Sequence, residues 1–225
     1  MKTILSWSSG KDSAWALHLL RQMPDVQVVG LLTTINEAFD RVAMHGVRRS
    51  LVEAQAQAVG LPIHTVEIPN PCPNDVYEAR MAAFIDSAVA DRVEAIAFGD
   101  LFLEDLRAYR ESRLQGTGIT PLFPLWQADT RKLAEDMISA GLGAHVVSLD
   151  LRVMPRDLIG RRYDEAFLAA LPPGVDPCGE NGEFHTFVHS GPMFSRELRL
   201  ELGDIVERDG FAFVDVTPAA ATPGH

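Results

Sequence analysis

Apolar, β-branched segments alternate with helical segments along the first 150 residues, and this alternation constrains the fold more than any other feature. The candidate strands are 2–5, 26–34, 63–68, 95–98, 119–123 and 144–149. A repeated strand–helix order is typical of a parallel sheet with helices on both faces, and ligands of such sheets bind at the carboxyl ends of the strands. We therefore predict an α/β fold with a doubly wound parallel sheet.

The pattern changes beyond residue 150. A helix is expected near 161–171, and the segments 196–202 and 210–216 alternate like the strands of a hairpin around Asp209-Gly210. The tail 217–225 is rich in Ala, Pro and Gly and is expected to be frayed. We predict a domain at 1–150 and a smaller α+β region at 151–225.

Composition limits the classes of partner and location. The chain has 31 acidic and 20 basic residues and a net charge of -11, which disfavours docking on nucleic acid. No apolar run approaches the ~18 residues that a membrane helix needs, and the first strand begins without the pattern of a signal peptide. Cys72 and Cys178 form no C-x-x-C pair. We expect a cytoplasmic protein that does not bind a membrane.

The stretch "SWSSGKDSAW" joins the first strand to the first helix. Such a turn points the N–H groups of the first helical turn, and the positive end of the helix dipole, at a ligand beyond the strand, so anions bind there. Small residues allow close approach, hydroxyls add donors, and a lysine adds charge; these residues are Ser8, Ser9, Gly10, Lys11 and Ser13. The Walker pattern is not satisfied. A different phosphate loop is predicted, with a capped, solvated turn as the alternative.

Asp12 is unexpected beside an anion site, because its carboxylate would repel a phosphate. It either caps the helix or faces Mg²⁺. The sequence leaves both interpretations open.

Other polar residues follow the predicted strands. Thr33 and Thr34 close the second strand, where an adenine or ribose would lie, although strand-end threonines are also common. Gly99 and Asp100 end a buried strand at the carboxyl edge of the sheet. We expect these four residues to contribute to a nucleotide site.

Two further features suggest contacts with a second substrate. Glu104, Arg107 and Glu111 share one helix face, because they are spaced i, i+3 and i+7; solvated ion pairs are the alternative. His45 lies in the long connection 36–47, a candidate flap over the site, or is a surface histidine.

The segment "GENGEFHTFV" carries candidate catalytic residues. Glu180 or Glu183 could hold Mg²⁺ or a substrate amine, and His185 could move a proton. A zinc site of Cys178, His185 and His189 is an alternative, although its spacing matches no familiar structural zinc pattern.

Three motifs together indicate a family. They are "SSGKDS" at 8–13, "GENGEFHT" at 179–186 and "LIGRRYDEA" at 158–166. With them the chain resembles the PP-loop ATP pyrophosphatases of the adenine nucleotide α-hydrolase superfamily, in the branch that contains the diphthine-ammonia ligases. The usual loop reads S-G-G-K-D-S, so Ser9 replaces a glycine, and Asn181 replaces a glycine of the late motif.

The resemblance implies an adenine nucleotide α-hydrolase fold that splits ATP into AMP and pyrophosphate. Residues 1–150 would bind ATP, with the pyrophosphate portion at 8–13, and 151–225 would face the other substrate. A carboxylate would attack the α-phosphorus to give an acyl-adenylate, from which ammonia would displace AMP. The catalytic set would be Lys11, Asp12, Glu180, Glu183 and His185, with Asp12 and Glu183 as Mg²⁺ ligands.

The acceptor and the oligomeric state stay open. The carboxylate would belong to a small molecule or to a protein of the elongation-factor type, contacted by His45, Glu104, Arg107 and Glu111. Glu104 and Asp105 in "LFLEDLRAYRE" favour an alternative, a paralogue that amidates another carboxylate. A sensor that binds adenine nucleotide without turnover is a further alternative, and a homodimer is compatible with the sequence.

Overall fold

The computed structural model describes residues 1–42 and 46–219. The strands are β1 Lys2–Ser6, β2 Gln27–Asn36, β3 Arg41–Val42, β4 Ile63–Ile68, β5 Ala95–Ala97, β6 Thr120–Leu122, β7 Gly143–Asp150, β8 Phe184–Ser190, β9 Leu200–Arg208 and β10 Phe211–Pro218. The α-helices are α1 Lys11–Leu20, α2 Arg49–Val59, α3 Asn74–Ala90, α4 Glu104–Leu114, α5 Thr130–Ser139 and α6 Glu165–Ala169, with a 3₁₀ turn at Arg156–Leu158. No helix within these ranges is both long enough and apolar enough to cross a bilayer.

The first six strands form one mostly parallel sheet. β1 lies between its parallel partners β2 and β5, while β4 and β6 extend the sheet on the far sides of β2 and β5. Only the short β3 pairs antiparallel, with the end of β2. The predicted α/β fold is confirmed. The chain leaves β1 toward β2, whereas β5 lies on the other side of β1. The loops after β1 and β5 therefore diverge and leave a crevice at the carboxyl ends of these two strands.

The last four strands form a separate antiparallel sheet in the order β8-β7-β10-β9. The strand at 144–149 was expected to continue the parallel sheet, and this prediction is wrong, because β7 pairs antiparallel with β8 and β10. β7 is buried along nearly its whole length, and an apolar run of this kind does not encode the direction of its neighbours. The expected hairpin is present, with Asp209 and Gly210 at φ 54° and 81° in its turn.

Three element boundaries differ from the sequence expectations. β2 continues through Asn36, so Thr33 and Thr34 lie inside the strand and do not close it. The helix expected near 161–171 is only α6, which begins where the Asp164 carboxylate accepts a hydrogen bond from the Phe167 N–H. The expected frayed tail begins within β10, which extends to Pro218, and its residues 220–225 lie outside the described ranges.

A shared hydrophobic core joins the two sheets. Leu5 of β1 and Trp7 of the loop after β1 belong to a cluster that also contains Val146 of β7 and Phe187 of β8. The opposite face of the parallel sheet packs on α3 and α4 in a second cluster. The common core places β8 beside the loop after β1. The division into units at 1–150 and 151–225 stays a proposal.

Candidate active site

The crevice at the carboxyl ends of β1 and β5 contains a cavity of about 180 Å³. Its walls come from the loop after β1 with the start of α1, from the end of β5, from α4, and from the late loop with the start of β8. The lining residues are Ser6, Ser8, Gly10, Lys11, Asp12, Ser13, Gly99, Asp100, Arg110, Cys178, Gly179, Glu180, Phe184, His185 and Thr186. The early and late motifs, more than 160 positions apart in sequence, therefore meet in one cavity.

The loop after β1 is held by its own hydroxyl groups. Gly10 is the N-cap of α1, with extended backbone angles φ -91° and ψ 174°. The Ser13 hydroxyl donates to the Gly10 carbonyl at 3.0 Å and lies 3.2 Å from the Ser8 hydroxyl. Since Gly10 occupies the N-cap position, Asp12 is not the cap, and one of its two interpretations is removed.

Lys11 is almost completely buried at the base of the cavity. Its ammonium group donates to Asp12 Oδ2 at 2.9 Å and to the Cys178 carbonyl. It also lies 5.2 Å from the centre of the Phe184 ring. Burial opposes the charge, but the attraction of Asp12 and further negative groups outweighs it and raises the pKa of Lys11. The lysine is therefore a fixed cation at the start of α1.

The carboxylate of Asp12 is only partly satisfied. Oδ2 accepts from Lys11, whereas Oδ1 is buried and has no hydrogen-bond partner. Burial raises the pKa of Asp12, although Lys11 acts in the opposite direction. A buried carboxylate oxygen without a partner, beside the predicted phosphate loop, would suit a cation such as Mg²⁺.

The end of β5 packs tightly on α1. A Cβ atom on Gly99 would lie 3.1 Å from both the Asp12 carbonyl carbon and the Ser13 nitrogen, so a larger residue here would press on the backbone at the start of α1. The next residue, Asp100, is buried and is held by two hydrogen bonds from Arg110 of α4. Sequence analysis did not select Arg110, although it lies three positions after Arg107 and inside an arginine-rich helix.

The late loop is built around a buried carboxylate. Glu183 Oε1 accepts from the Asp176 N–H at 3.2 Å and from the Asn181 amide at 2.9 Å, while the Asp176 carboxylate accepts from the Glu180 N–H at 2.9 Å. Gly179 adopts φ 68°, and a Cβ there would lie 2.8 Å from the Phe184 carbonyl oxygen. Glu183 thus shapes the loop and is not part of the cavity lining.

Glu180 and His185 face the cavity from this loop and from β8. Glu180 Oε1 accepts from the Leu101 N–H at 2.8 Å. Burial, with smaller contributions from Asp12 and Asp100, raises the pKa of Glu180 to about 7, although the Leu101 hydrogen bond acts against the shift. Burial and the nearby Lys11 charge lower the pKa of His185 to about 4. At neutral pH the imidazole is uncharged, and the carboxyl group lies close to its titration midpoint.

Comparisons with known proteins identify the family of this chain. Residues 1–121 match the diphthamide synthase N-terminal domain, and residues 129–216 match the diphthamide synthase C-terminal domain. The chain belongs to the diphthamide synthase family. The resemblance drawn from the three motifs is thereby confirmed.

Individual members of the diphthamide synthase family are distant in sequence. The diphthine–ammonia ligases of Bos taurus and Homo sapiens are each 24% identical over 196 residues, which cover 80% of this chain and 73% of theirs. The diphthine–ammonia ligase of Schizosaccharomyces pombe is 24% identical over 225 residues, covering 92% of this chain and 37% of its own length. The similarity extends across both sheets of the fold.

Several predicted site residues lie outside this cavity of the diphthamide synthase fold. Thr33 is buried inside β2, and its hydroxyl has no partner; neither it nor Thr34 contributes to the lining. Glu104, Arg107 and Glu111 lie on α4 away from the lining, with Arg107 stacked 4.6 Å from the Trp126 ring centre and paired with Glu111. His45 falls outside the described residues.

The remaining residues of the phosphate loop and the zinc alternative can also be placed. Ser9 is fully buried and does not line the cavity. Burial raises the pKa of the Cys178 thiol to about 12, and the thiol donates to the Thr130 carbonyl. His189 pairs with Glu197 and packs against His145. Within 1–42 and 46–219, no group of three His, Cys, Asp or Glu side chains could hold a metal ion.

Proposed function

We propose that this chain is an ATP-dependent ligase that activates a carboxylate as an acyl-adenylate and amidates it with ammonia. One observation carries the proposal: the phosphate loop and the late motif of the family line the same cavity. The relatives are named diphthine–ammonia ligases, which makes ATP and ammonia the expected substrates. The cavity supplies groups for both halves of such a reaction.

In the first half-reaction a carboxylate oxygen attacks the α-phosphorus of ATP, and pyrophosphate leaves. The leaving pyrophosphate carries high negative charge, which Lys11 and the N–H groups at the start of α1 can stabilise. Ser8 and Ser13 present hydroxyl groups on the same side of the cavity. We assign the pyrophosphate portion to 8–13 for these reasons.

A magnesium ion fits the residues present. Mg²⁺ is commonly held by one or two carboxylates together with substrate phosphates, and the unpartnered Oδ1 of Asp12 is a suitable ligand. When bound, Mg²⁺ would neutralise phosphate charge. Glu183, the other predicted ligand, also has a buried oxygen without a partner, Oε2, but Glu183 does not line the cavity and its Oε1 holds its own loop. We therefore propose Asp12 as the protein ligand.

In the second half-reaction the ammonia nitrogen attacks the acyl carbon, and AMP leaves. The nitrogen must then lose one proton to give a neutral amide. Glu180 is the candidate acceptor, because a carboxyl group with a pKa of about 7 exchanges protons readily near neutral pH. The neutral imidazole of His185 can hydrogen-bond the nucleophile or the acyl oxygen without adding positive charge.

The acceptor is a carboxylate of the diphthine type on an elongation-factor-type protein, by analogy with the relatives. A small carboxylate metabolite is the alternative. Location in the cytoplasm and assembly as a homodimer belong to the same proposal. Thr34 shares the face of β2 with Leu32, and we keep it as a candidate ribose contact at the carboxyl end of the sheet.

The test is a product analysis with MgATP, ¹⁵N-ammonium and a candidate acceptor, including a protein extract. We expect AMP, pyrophosphate and an acceptor that gains a labelled amide, detected by mass spectrometry. ADP as the product would contradict the acyl-adenylate route. ATP that is bound but stays intact with every acceptor would replace the ligase by a nucleotide sensor. Asp12→Asn is the matched variant, expected to bind nucleotide and to lose turnover.

A further inference from the structure

Gln55 of α2 is completely buried, and its amide lies behind the phosphate loop. Its Oε1 accepts from the indole N–H of Trp7 at 2.8 Å. Its Nε2 donates to the carbonyl of Ser9 at 3.0 Å and to the carbonyl of Val188 at 2.6 Å. The three partners come from the loop after β1 and from β8, so one side chain links α2 to both sheets.

The orientation of this amide is determined by its partners. Both carbonyl oxygens can only accept hydrogen bonds, and an indole N–H can only donate one. The NH₂ group of Gln55 must therefore face Ser9 and Val188, and its oxygen must face Trp7. Both amide donors and the acceptor are used, as expected for a polar group that is kept in a protein core.

The carbonyl of Ser9 is the functionally important partner. It accepts a second hydrogen bond from the Val188 N–H at 3.0 Å. Ser9 itself adopts φ 73°, a left-handed conformation that side-chain-bearing residues rarely adopt. Serine does not favour this backbone conformation. Two donors, one from α2 and one from β8, hold the carbonyl of Ser9 in place.

Fixing this carbonyl also fixes the next N–H group. A trans peptide is planar, so the N–H of Gly10 points opposite to the carbonyl of Ser9. With the carbonyl turned toward Gln55 and β8, the Gly10 N–H donates to Ser8 Oγ at 3.4 Å, and both Ser8 and Gly10 line the cavity. Gly10 is the N-cap of α1, where backbone donors meet a bound anion.

We propose that Gln55 is a positioning residue for pyrophosphate binding: it holds the Ser9–Gly10 peptide so that the Gly10 N–H faces the phosphate cavity. This inference rests on the proposed function, because it assigns the pyrophosphate portion of ATP to that cavity. Gln55 contacts no reacting atom and acts through the loop. Its removal should weaken pyrophosphate and ATP binding more than it slows the chemical step, since the Gly10 N–H would contact the phosphates in the ground state as well as in the transition state.

The experiment compares Gln55→Met and Gln55→Glu with wild type in the full chain. Methionine keeps the volume without hydrogen bonds, and glutamate keeps the acceptor for Trp7 but loses the donors. We expect the Kd for inorganic pyrophosphate and the KM for ATP to rise about tenfold in both, with kcat within about threefold of wild type. Calorimetry and AMP formation provide the measurements.

Two further variants separate positioning from stability. Ser195→Ala removes a hydrogen bond to the carbonyl of Ala58, which lies in α2 like Gln55. This variant should leave the Kd for pyrophosphate and the KM for ATP unchanged. Trp7→Phe removes the donor that orients the amide, together with part of a buried ring, and leaves both Gln55 donors in place; it should raise the Kd for pyrophosphate by about threefold. If the Gln55 variants do not fold, Trp7→Phe decides.

The outcomes distinguish the two proposals. A pyrophosphate affinity equal to wild type in folded Gln55 variants would overturn the role of Gln55. If those variants do not fold, an unchanged affinity in Trp7→Phe would overturn it. A wild-type protein that binds pyrophosphate but forms no AMP would overturn the proposed function, while the affinities would still decide the role of Gln55. A wild-type protein that does not bind pyrophosphate would overturn both.

Discussion

Arg110 holds the carboxylate of Asp100 through two hydrogen bonds at the wall of the cavity, and its guanidinium stacks 4.4 Å from the centre of the Phe98 ring. A buried carboxylate would otherwise repel the phosphates of ATP. The ion pair offsets part of the negative charge of Asp100, which reduces the repulsion of an anion in the cavity.

Loss of Arg110 should therefore affect both stability and binding. Arg110→Met leaves Asp100 buried without its partner, and we expect a loss of about 2 kcal/mol in the free energy of unfolding together with a higher KM for ATP. Urea denaturation and AMP formation measure the two effects. Arg107→Met is the control, because Arg107 also stacks on aromatic rings but pairs with Glu111 at the surface, where about 0.5 kcal/mol is expected. Equal losses in the two variants would contradict this role of Arg110.

The raised pKa of Glu180 predicts a pH dependence of amide formation. Only the ionised carboxylate can accept a proton, so the rate should fall about tenfold per pH unit below pH 7 and level off above it, at constant free ammonia. Pre-formed acyl-adenylate isolates the second half-reaction in this measurement. Glu180→Gln should be about 10² to 10⁴ times slower, with no step near pH 7.

Asp100 provides an independent check on this assignment. Its negative charge is one of the causes that raise the pKa of Glu180, so Asp100→Asn should move the midpoint of the profile to lower pH. A midpoint that moves upward, or a profile of Glu180→Gln that keeps the wild-type step, would assign the proton transfer to another group.

The parts of the site that sequence predicts are local. The phosphate loop follows from a short strand, small residues and a helix start within ten positions, and the late motif is equally compact. The arrangement of Gln55 could not be predicted, because its partners Trp7 and Val188 lie 48 and 133 positions away. Such contacts depend on how the two sheets pack, and no periodicity records that packing.

The α4 helix shows a second limit of sequence patterns. Its spacing places Glu104, Arg107 and Glu111 together on one face, but spacing does not tell which face turns toward the cavity. The structure turns Arg110 toward Asp100 and leaves Arg107 paired with Glu111 outside the cavity lining. Similarly, the buried strand β7 gave no information about whether its neighbours are parallel or antiparallel.

The role of Glu183 can be decided by two substitutions. Glu183→Gln keeps the Oε1 acceptor that holds Asp176 and Asn181, so this variant should retain most activity and stability. Glu183→Ala removes the acceptor and should lower the free energy of unfolding by about 1 to 3 kcal/mol and reduce turnover through disorder of the loop. Thermal denaturation and AMP formation are measured in parallel. Complete loss of turnover in a stable Glu183→Gln protein would instead support the metal-ligand or catalytic role predicted from sequence.

The left-handed backbone of Ser9 explains why the usual loop of the family has glycine at this position. Glycine adopts φ 73° without the steric cost that a Cβ carries, so Ser9→Gly should be about 1 kcal/mol more stable than Ser9→Ala. Both variants lack the buried, unpartnered hydroxyl, so the difference between their free energies of unfolding reports the cost of the left-handed backbone conformation. Because this hydroxyl is not in the cavity lining, the KM for ATP should match wild type in both. A raised KM for ATP in both variants would support the hydroxyl of Ser9 as a phosphate donor. An alanine variant as stable as the glycine variant would contradict the left-handed conformation.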